Sequence, residues 1–125
     1  MRLSEAIRLG AMALPEAHGP TFLHDADRRI CGACAIGAAL YAVGIMTPDW
    51  HKGQRGEQAL PLLGQLVQHP EHTSVPHRMG GIIIDLFEVS RWTREQIADW
   101  VETVEAAQAA EVAPVAEPSL AEAPR

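Results

Sequence analysis

The sequence is short of lysine, of aromatic residues and of cysteine. Lys52 is the only lysine, and 16 acidic residues against 10 basic ones give a formal net charge of −6. Because contacts with phosphates need clustered lysine and arginine, this balance disfavours a nucleic-acid partner. Aromatic residues make up 5% of the chain. Few large rings and many alanines favour helices packed through small faces over a β-sandwich.

The sequence also lacks a secretory signal and a strongly hydrophobic run. Arg2, Glu5 and Arg8 interrupt the apolar positions at the start of the chain, which makes that stretch amphipathic. The longest uncharged run, residues 30–48, is rich in glycine and alanine and too weakly apolar for a membrane span. We therefore expect a cytoplasmic protein with no membrane partner and with its two cysteines reduced.

Hydrophobic periodicity predicts a first helix at residues 3–14. Ser4 is expected to cap it, and Pro15 is expected to end it because the residue before a proline is pushed out of the α region. A further helix is predicted at residues 57–68, where apolar side chains recur at helical spacing. Long polar connections with several prolines separate these segments.

The uncharged segment 31–44 predicts a buried central helix around which the others pack. Gly44 suits the left-handed position that stops a helix. Gly32 and Gly37 cost such a helix intrinsic stability. Their presence therefore predicts that the backbones of neighbouring elements, such as the first and last helices, approach closely here.

The last third of the chain predicts two more helices and an unstructured tail. Residues 79–89 suit a strand by their three consecutive isoleucines and a helix by the spacing of later apolar residues, and we favour the helix because no partner strand is evident. Thr93 and Gln96 form a capping box before the final helix. The overall prediction is one all-α domain of four to five short helices at residues 1–105, followed by the helix end and a disordered Ala/Pro/Glu tail at residues 106–125.

Two pairs of residues predict a zinc site. Cys31 and Cys34 lie three residues apart, which suits two thiolate ligands, and His69 and His72 have the same spacing. Together they form a Cys2His2 set, although the separation between the pairs is longer than in common zinc fingers. The alternative interpretation is that Cys34 is a small apolar core residue and that the histidines are solvated loop residues.

Residues 90–100 resemble the first helix of a helix-turn-helix, as found in transcription regulators. A recognition helix should follow such a helix after a short turn. Here the periodic pattern continues through Val101, and no basic helix follows. A degenerate helix-turn-helix DNA-binding regulator is therefore kept as one alternative function.

Three blocks of sequence resemble small bacterial and phage proteins of no assigned activity. The blocks are residues 4–10 (SEAIRLG), 34–40 (CAIGAAL) and 92–101 (WTREQIADWV). The resemblance implies no function by itself. Some of these similar proteins carry a Cys-Pro-x-Cys knuckle in the region of His69 and His72, which favours the zinc hypothesis while changing the type of ligand.

No catalytic motif is recognisable in the sequence. Neither Cys34 nor Ser90 lies in a nucleophile motif, and the glycine pair at residues 80–81 is not followed by a phosphate-binding lysine. The sequence therefore predicts a small non-enzymatic interaction or regulatory protein that binds a protein partner and needs no cofactor. The alternatives are the zinc-stabilised module, the DNA-binding regulator and a small enzyme with a histidine base.

Overall fold

The computed structural model describes residues 1–47, 55–72 and 75–122, with side chains through residue 111. The sequence also predicts that Trp50, in the polar connection after the central helix, folds back on the core, and this residue lies outside the described residues. In the described part, the elements are α1 (Leu3–Ala13), β1 (Phe22–His24), β2 (Ile30–Ala33), α2 (Ala35–Ala42), α3 (Arg55–Ala59), a 3-10 turn (Pro61–Gly64), β3 (Leu66–Val67), β4 (His77–Arg78), α4 (Met79–Glu88) and α5 (Arg94–Glu122).

The all-α prediction is wrong, because the helices are accompanied by two small antiparallel sheets. β1 pairs with β2, and β3 pairs with β4. The first sheet is closed by Asp25, whose Oδ1 accepts hydrogen bonds from the backbone N–H groups of Asp27 and Arg29 at 2.9 and 3.0 Å. Arg28 takes a left-handed φ of 64° in this turn. The Asp-rich turn therefore reverses the chain, and residues 30–33 pair with β1 instead of starting a helix.

The central helix is consequently shorter than predicted. Helix α2 begins at Ala35, and the Cys34 thiol caps it by accepting the Gly37 N–H at 3.4 Å. Gly44 has a φ of 83° after the helix end, as predicted. A Cβ on Gly37 would lie 2.0 Å from the Thr21 carbonyl oxygen, so the predicted close backbone approach is confirmed there.

The predicted helix at residues 57–68 is also wrong in its extent. α3 ends at Ala59, and Pro61 begins a 3-10 turn, since its ring prevents the helix from continuing. The chain then enters β3, which pairs with β4. The Met79 N–H donates to the Gln65 carbonyl at 2.8 Å, which fixes the start of α4 beside β3.

The helix favoured at residues 79–89 and the capping box before the last helix are confirmed. α4 spans Met79–Glu88. The Gln96 N–H donates to Thr93 Oγ1 at 3.1 Å, and the Thr93 N–H donates to Gln96 Oε1 at 2.8 Å. The backbone of α5 is helical through Glu122. The predicted disordered tail at residues 106–125 overlaps this range and stays a prediction.

The core forms where α1 packs against α2 and α5. Gly10 brings α1 so close to α2 that a Cβ there would lie 1.8 Å from the Ala38 carbonyl oxygen. On the other side, Ser4 is buried, and its hydroxyl donates to Glu105 of α5 at 2.5 Å. Ser4 is therefore a packing residue rather than the predicted cap. No helix in the described part of the chain has the length and hydrophobicity to cross a membrane.

Candidate metal centre

The chain following β3 brings a histidine pair against the side of α4. His69 is 5% exposed, and its Nε2 lies 2.8 Å from Oδ2 of Asp85 on α4. His72 is exposed, and its ring stacks on that of His69 with 4.2 Å between the ring centroids and 29° between the planes. The ligand atoms of these three residues all lie within 4.8 Å of one another. We refer to His69, His72 and Asp85 as the His–Asp cluster.

The hydrogen bonds of His69 define which ring nitrogen carries the proton. Its Nδ1 accepts the backbone N–H of Glu71 at 3.0 Å, so the neutral imidazole has its proton on Nε2. That Nε2–H donates to Asp85. A buried ring bonded at both nitrogens is fixed in position, and it lies between the Asp85 carboxylate and the stacked His72 ring.

The His–Asp cluster opens into a cleft of about 450 Å³. The floor is one face of α4 with Gly81 and Ile82, and His77 and Arg78 line the same cleft. A Cβ on Gly81 would meet nothing within 4 Å, so this glycine leaves space next to Asp85. The cleft therefore provides room for an ion and for solvent or a further ligand.

Two imidazole nitrogens and one carboxylate oxygen are a donor set suited to a divalent transition metal ion. Bonds of about 2.0–2.2 Å to such an ion require ligand atoms separated by about 3–3.5 Å. His69 Nε2 and Asp85 Oδ2 are 2.8 Å apart, and the ligand atoms of all three residues lie within 4.8 Å of one another, so the cluster is close to this range. Three protein ligands would leave at least one coordination position of a tetrahedral ion open.

Glu71, between the two histidines, connects the cluster to the segment before α5. Its carboxylate accepts the Ser90 hydroxyl at 2.6 Å and the Trp92 indole N–H at 3.0 Å. These two hydrogen bonds hold the pKa of Glu71 below its usual range. We call this pair of contacts the Glu71 bridge. The His-Pro-Glu-His segment is thus held at His69 and at Glu71, although it has no regular secondary structure.

The structure brings together the histidine half of the predicted Cys2His2 set. Cys31 is half-buried in β2, and Cys34 is a buried free thiol that lines a small cavity with Ile83 and Phe87 of α4. Successive helix residues are turned by about 100°, so Asp85 lies on a different face of α4 from those two residues. Among the described residues, neither cysteine belongs to the group that surrounds His69.

Sequence reasoning missed Asp85 and the role of Glu71. Asp85 is the only charged residue between Met79 and Phe87, within a segment rich in isoleucine and leucine. A lone carboxylate on such a helix needs a polar partner, and that signal could have singled it out. Glu71 carried no such signal, because an acidic residue in a polar loop is ordinarily solvated.

The segment that resembles a helix-turn-helix helix, residues 90–100, leads into α5 without a break through Glu122. No known protein family matches the sequence, and comparisons with curated proteins and with solved structures find no significant match. The function is therefore inferred from the geometry of the His–Asp cluster.

Proposed function

We propose that this protein is a small, non-enzymatic regulatory protein that binds one divalent transition metal ion, with zinc as the first candidate. The observation that carries the proposal is the convergence of the three side chains in the His–Asp cluster within 4.8 Å at the edge of a cleft. The two free cysteines support the expected residence in a reducing, cytoplasmic compartment. A protein partner would bind the metal-bound form in preference to the metal-free form.

The donor set distinguishes among metal ions. Magnesium and calcium prefer six or more oxygen ligands, whereas the cluster offers two nitrogens and one carboxylate. Zinc, cobalt and nickel accept imidazole readily, and affinity for a site of this kind increases from manganese to copper and is lower again for zinc. We therefore expect binding of zinc and cobalt and no measurable response to magnesium or calcium.

The hydrogen bonds of His69 leave neither ring nitrogen free. The lone pair of Nδ1 accepts the Glu71 N–H, and Nε2 carries the proton. A general base needs a free lone pair within reach of a substrate proton, and a metal ligand needs a free lone pair as well. His69 has to exchange one of these hydrogen bonds in either role, so the convergence of three side chains is what favours a metal site over the histidine-base enzyme considered from the sequence.

Isothermal titration calorimetry of the chelator-treated protein with zinc and cobalt tests the proposal. We expect one ion per chain in both titrations. His72→Ala should weaken affinity by about tenfold or more, since it removes one of three ligands. His72 is the preferred position because it is exposed and its removal leaves the hydrogen bonds of the buried His69 intact.

The matched control is His24→Ala. His24 is also exposed, but it lines a separate cleft with Arg29 and Tyr41. This variant should bind zinc as tightly as the unmodified protein. Absence of binding to the unmodified chain, or equal weakening by His24→Ala and His72→Ala, would contradict a site at the His–Asp cluster.

A further inference from the structure

The bonding of His69 places a condition on metal binding. A neutral imidazole has one N–H and one lone pair, and both are in use. An ion on Nδ1 would replace the Glu71 N–H, which now lies 3.0 Å from that nitrogen. An ion on Nε2 would shift the proton to Nδ1, which would then face the Glu71 N–H as a second donor. In both cases the Glu71 amide loses its acceptor.

The same residue holds the connection between α4 and α5. The Glu71 carboxylate accepts from Ser90 Oγ at 2.6 Å and from Trp92 Nε1 at 3.0 Å. Arg91, between them, has a left-handed φ of 61°, and the Trp92 backbone N–H donates to the Leu86 carbonyl at 2.9 Å. The connection is thus held by a few specific contacts. A turn of the Glu71 backbone displaces the carboxylate on which two of them depend.

We infer that a metal ion bound by His69 and His72 releases the Glu71 amide and weakens the Glu71 bridge to the segment that precedes α5. The inference rests on the proposed function, since it requires an ion at the His–Asp cluster. Metal binding then changes the contacts that hold the start of α5. The hydrogen bond of the Trp92 indole N–H is the contact at which this change can be measured.

Hydrogen exchange of the Trp92 indole N–H, measured by NMR on the full ¹⁵N-labelled chain, tests the inference. With one equivalent of zinc, we expect the exchange rate of this N–H to increase by about tenfold, as for the loss of one hydrogen bond. The Trp100 indole N–H is the internal control, because Trp100 lies on α5 beyond the connection, and its rate should stay unchanged.

Glu71→Ala tests the Glu71 bridge independently of zinc binding. This variant keeps the zinc ligands, so it should bind zinc, but Trp92 exchange should already be fast without zinc and should not respond to it. Zinc binding to the unmodified chain without a change at Trp92 overturns the inference and leaves the proposed function standing. An equal zinc response in Glu71→Ala also overturns it, because Glu71 would not be the link. Failure of the unmodified chain to bind zinc overturns both.

Discussion

His69 joins two parts of the chain that the sequence does not connect. Its neighbours are proline and polar residues, which correctly predict a loop, and the histidine pair was recognisable by its spacing. The contact with Asp85 was not predictable, because Asp85 lies 16 residues further on in a helix whose apolar pattern does not say which face meets the loop. Only the pairing of β3 with β4 brings that loop beside α4.

Cys34 illustrates how one side chain serves both packing and local structure. It is 8% exposed within the core, and its sulfur caps α2. Burial raises the pKa of the Cys34 thiol, while the Gly37 N–H opposes that shift. We expect iodoacetamide to modify the half-buried Cys31 first, and Cys34 only after urea unfolding, as measured by mass spectrometry.

The raised pKa of the Cys34 thiol predicts a loss of stability at alkaline pH. Because the folded-state pKa of Cys34 is raised, the neutral thiol is favoured on folding, and its effect is constant below the unfolded pKa of about 8.5. As the pH rises through that value, the unfolded chain loses its proton first and the free energy of unfolding falls. Urea unfolding of the unmodified chain and of Cys34→Ala should differ in this alkaline slope. If the alkaline slope is the same in Cys34→Ala, other titrating groups cause the loss of stability.

At the scale of elements, the final helix was predictable because its start signal is local. The capping box of Thr93 and Gln96 depends on residues three apart and needs no tertiary contact. We expect Thr93→Ala to lower the free energy of unfolding by about 1 kcal/mol, since an N–H of the first turn loses its acceptor. Chemical denaturation followed by circular dichroism measures the change.

Thr103→Ala is the matched control for this prediction. Thr103 lies inside α5, is exposed, and its hydroxyl donates to the Trp100 carbonyl. Replacing it should change stability by no more than about 0.5 kcal/mol. Equal losses for the two substitutions would mean that the cap contributes nothing beyond a threonine contact.

The sheets were not predictable from local patterns. Residues 31–33 are cysteine, glycine and alanine, which fit a strand or a helix, and the run has no period of two. Their conformation depends on Asp25, which closes the turn, and on pairing of Gly32 with Leu23. β3 and β4 have two residues each, too few to give any periodic signal.

At the scale of the whole molecule, sequence indicated that glycines mark close approaches, but it named the first and last helices as the neighbours of Gly37, where the structure has a loop. Gly37 faces the backbone of Thr21, in the loop before β1, while Gly10 of α1 faces Ala38 of α2. Polar contacts then fix α1 to α5: Arg8 pairs with Asp99 at 2.6 Å and with Glu102 at 2.8 Å. These pairs are exposed and contribute little each, so the position of α1 depends mainly on its packing against α2 and α5.

Gly10→Ala should therefore destabilise the whole domain. The new Cβ would lie 1.8 Å from the Ala38 carbonyl oxygen, a backbone atom that cannot rotate away. α1 and α2 must separate, and we expect the free energy of unfolding to fall by about 2 kcal/mol or more despite the better helix propensity of alanine.

Gly81→Ala makes the same change in α4, where the Cβ meets nothing within 4 Å, so it should instead raise stability by up to about 1 kcal/mol. Urea unfolding in zinc-free buffer compares the two. Changes of the same sign would show that the contact between α1 and α2 adapts to an added methyl group, and that this approach does not determine how the helices pack.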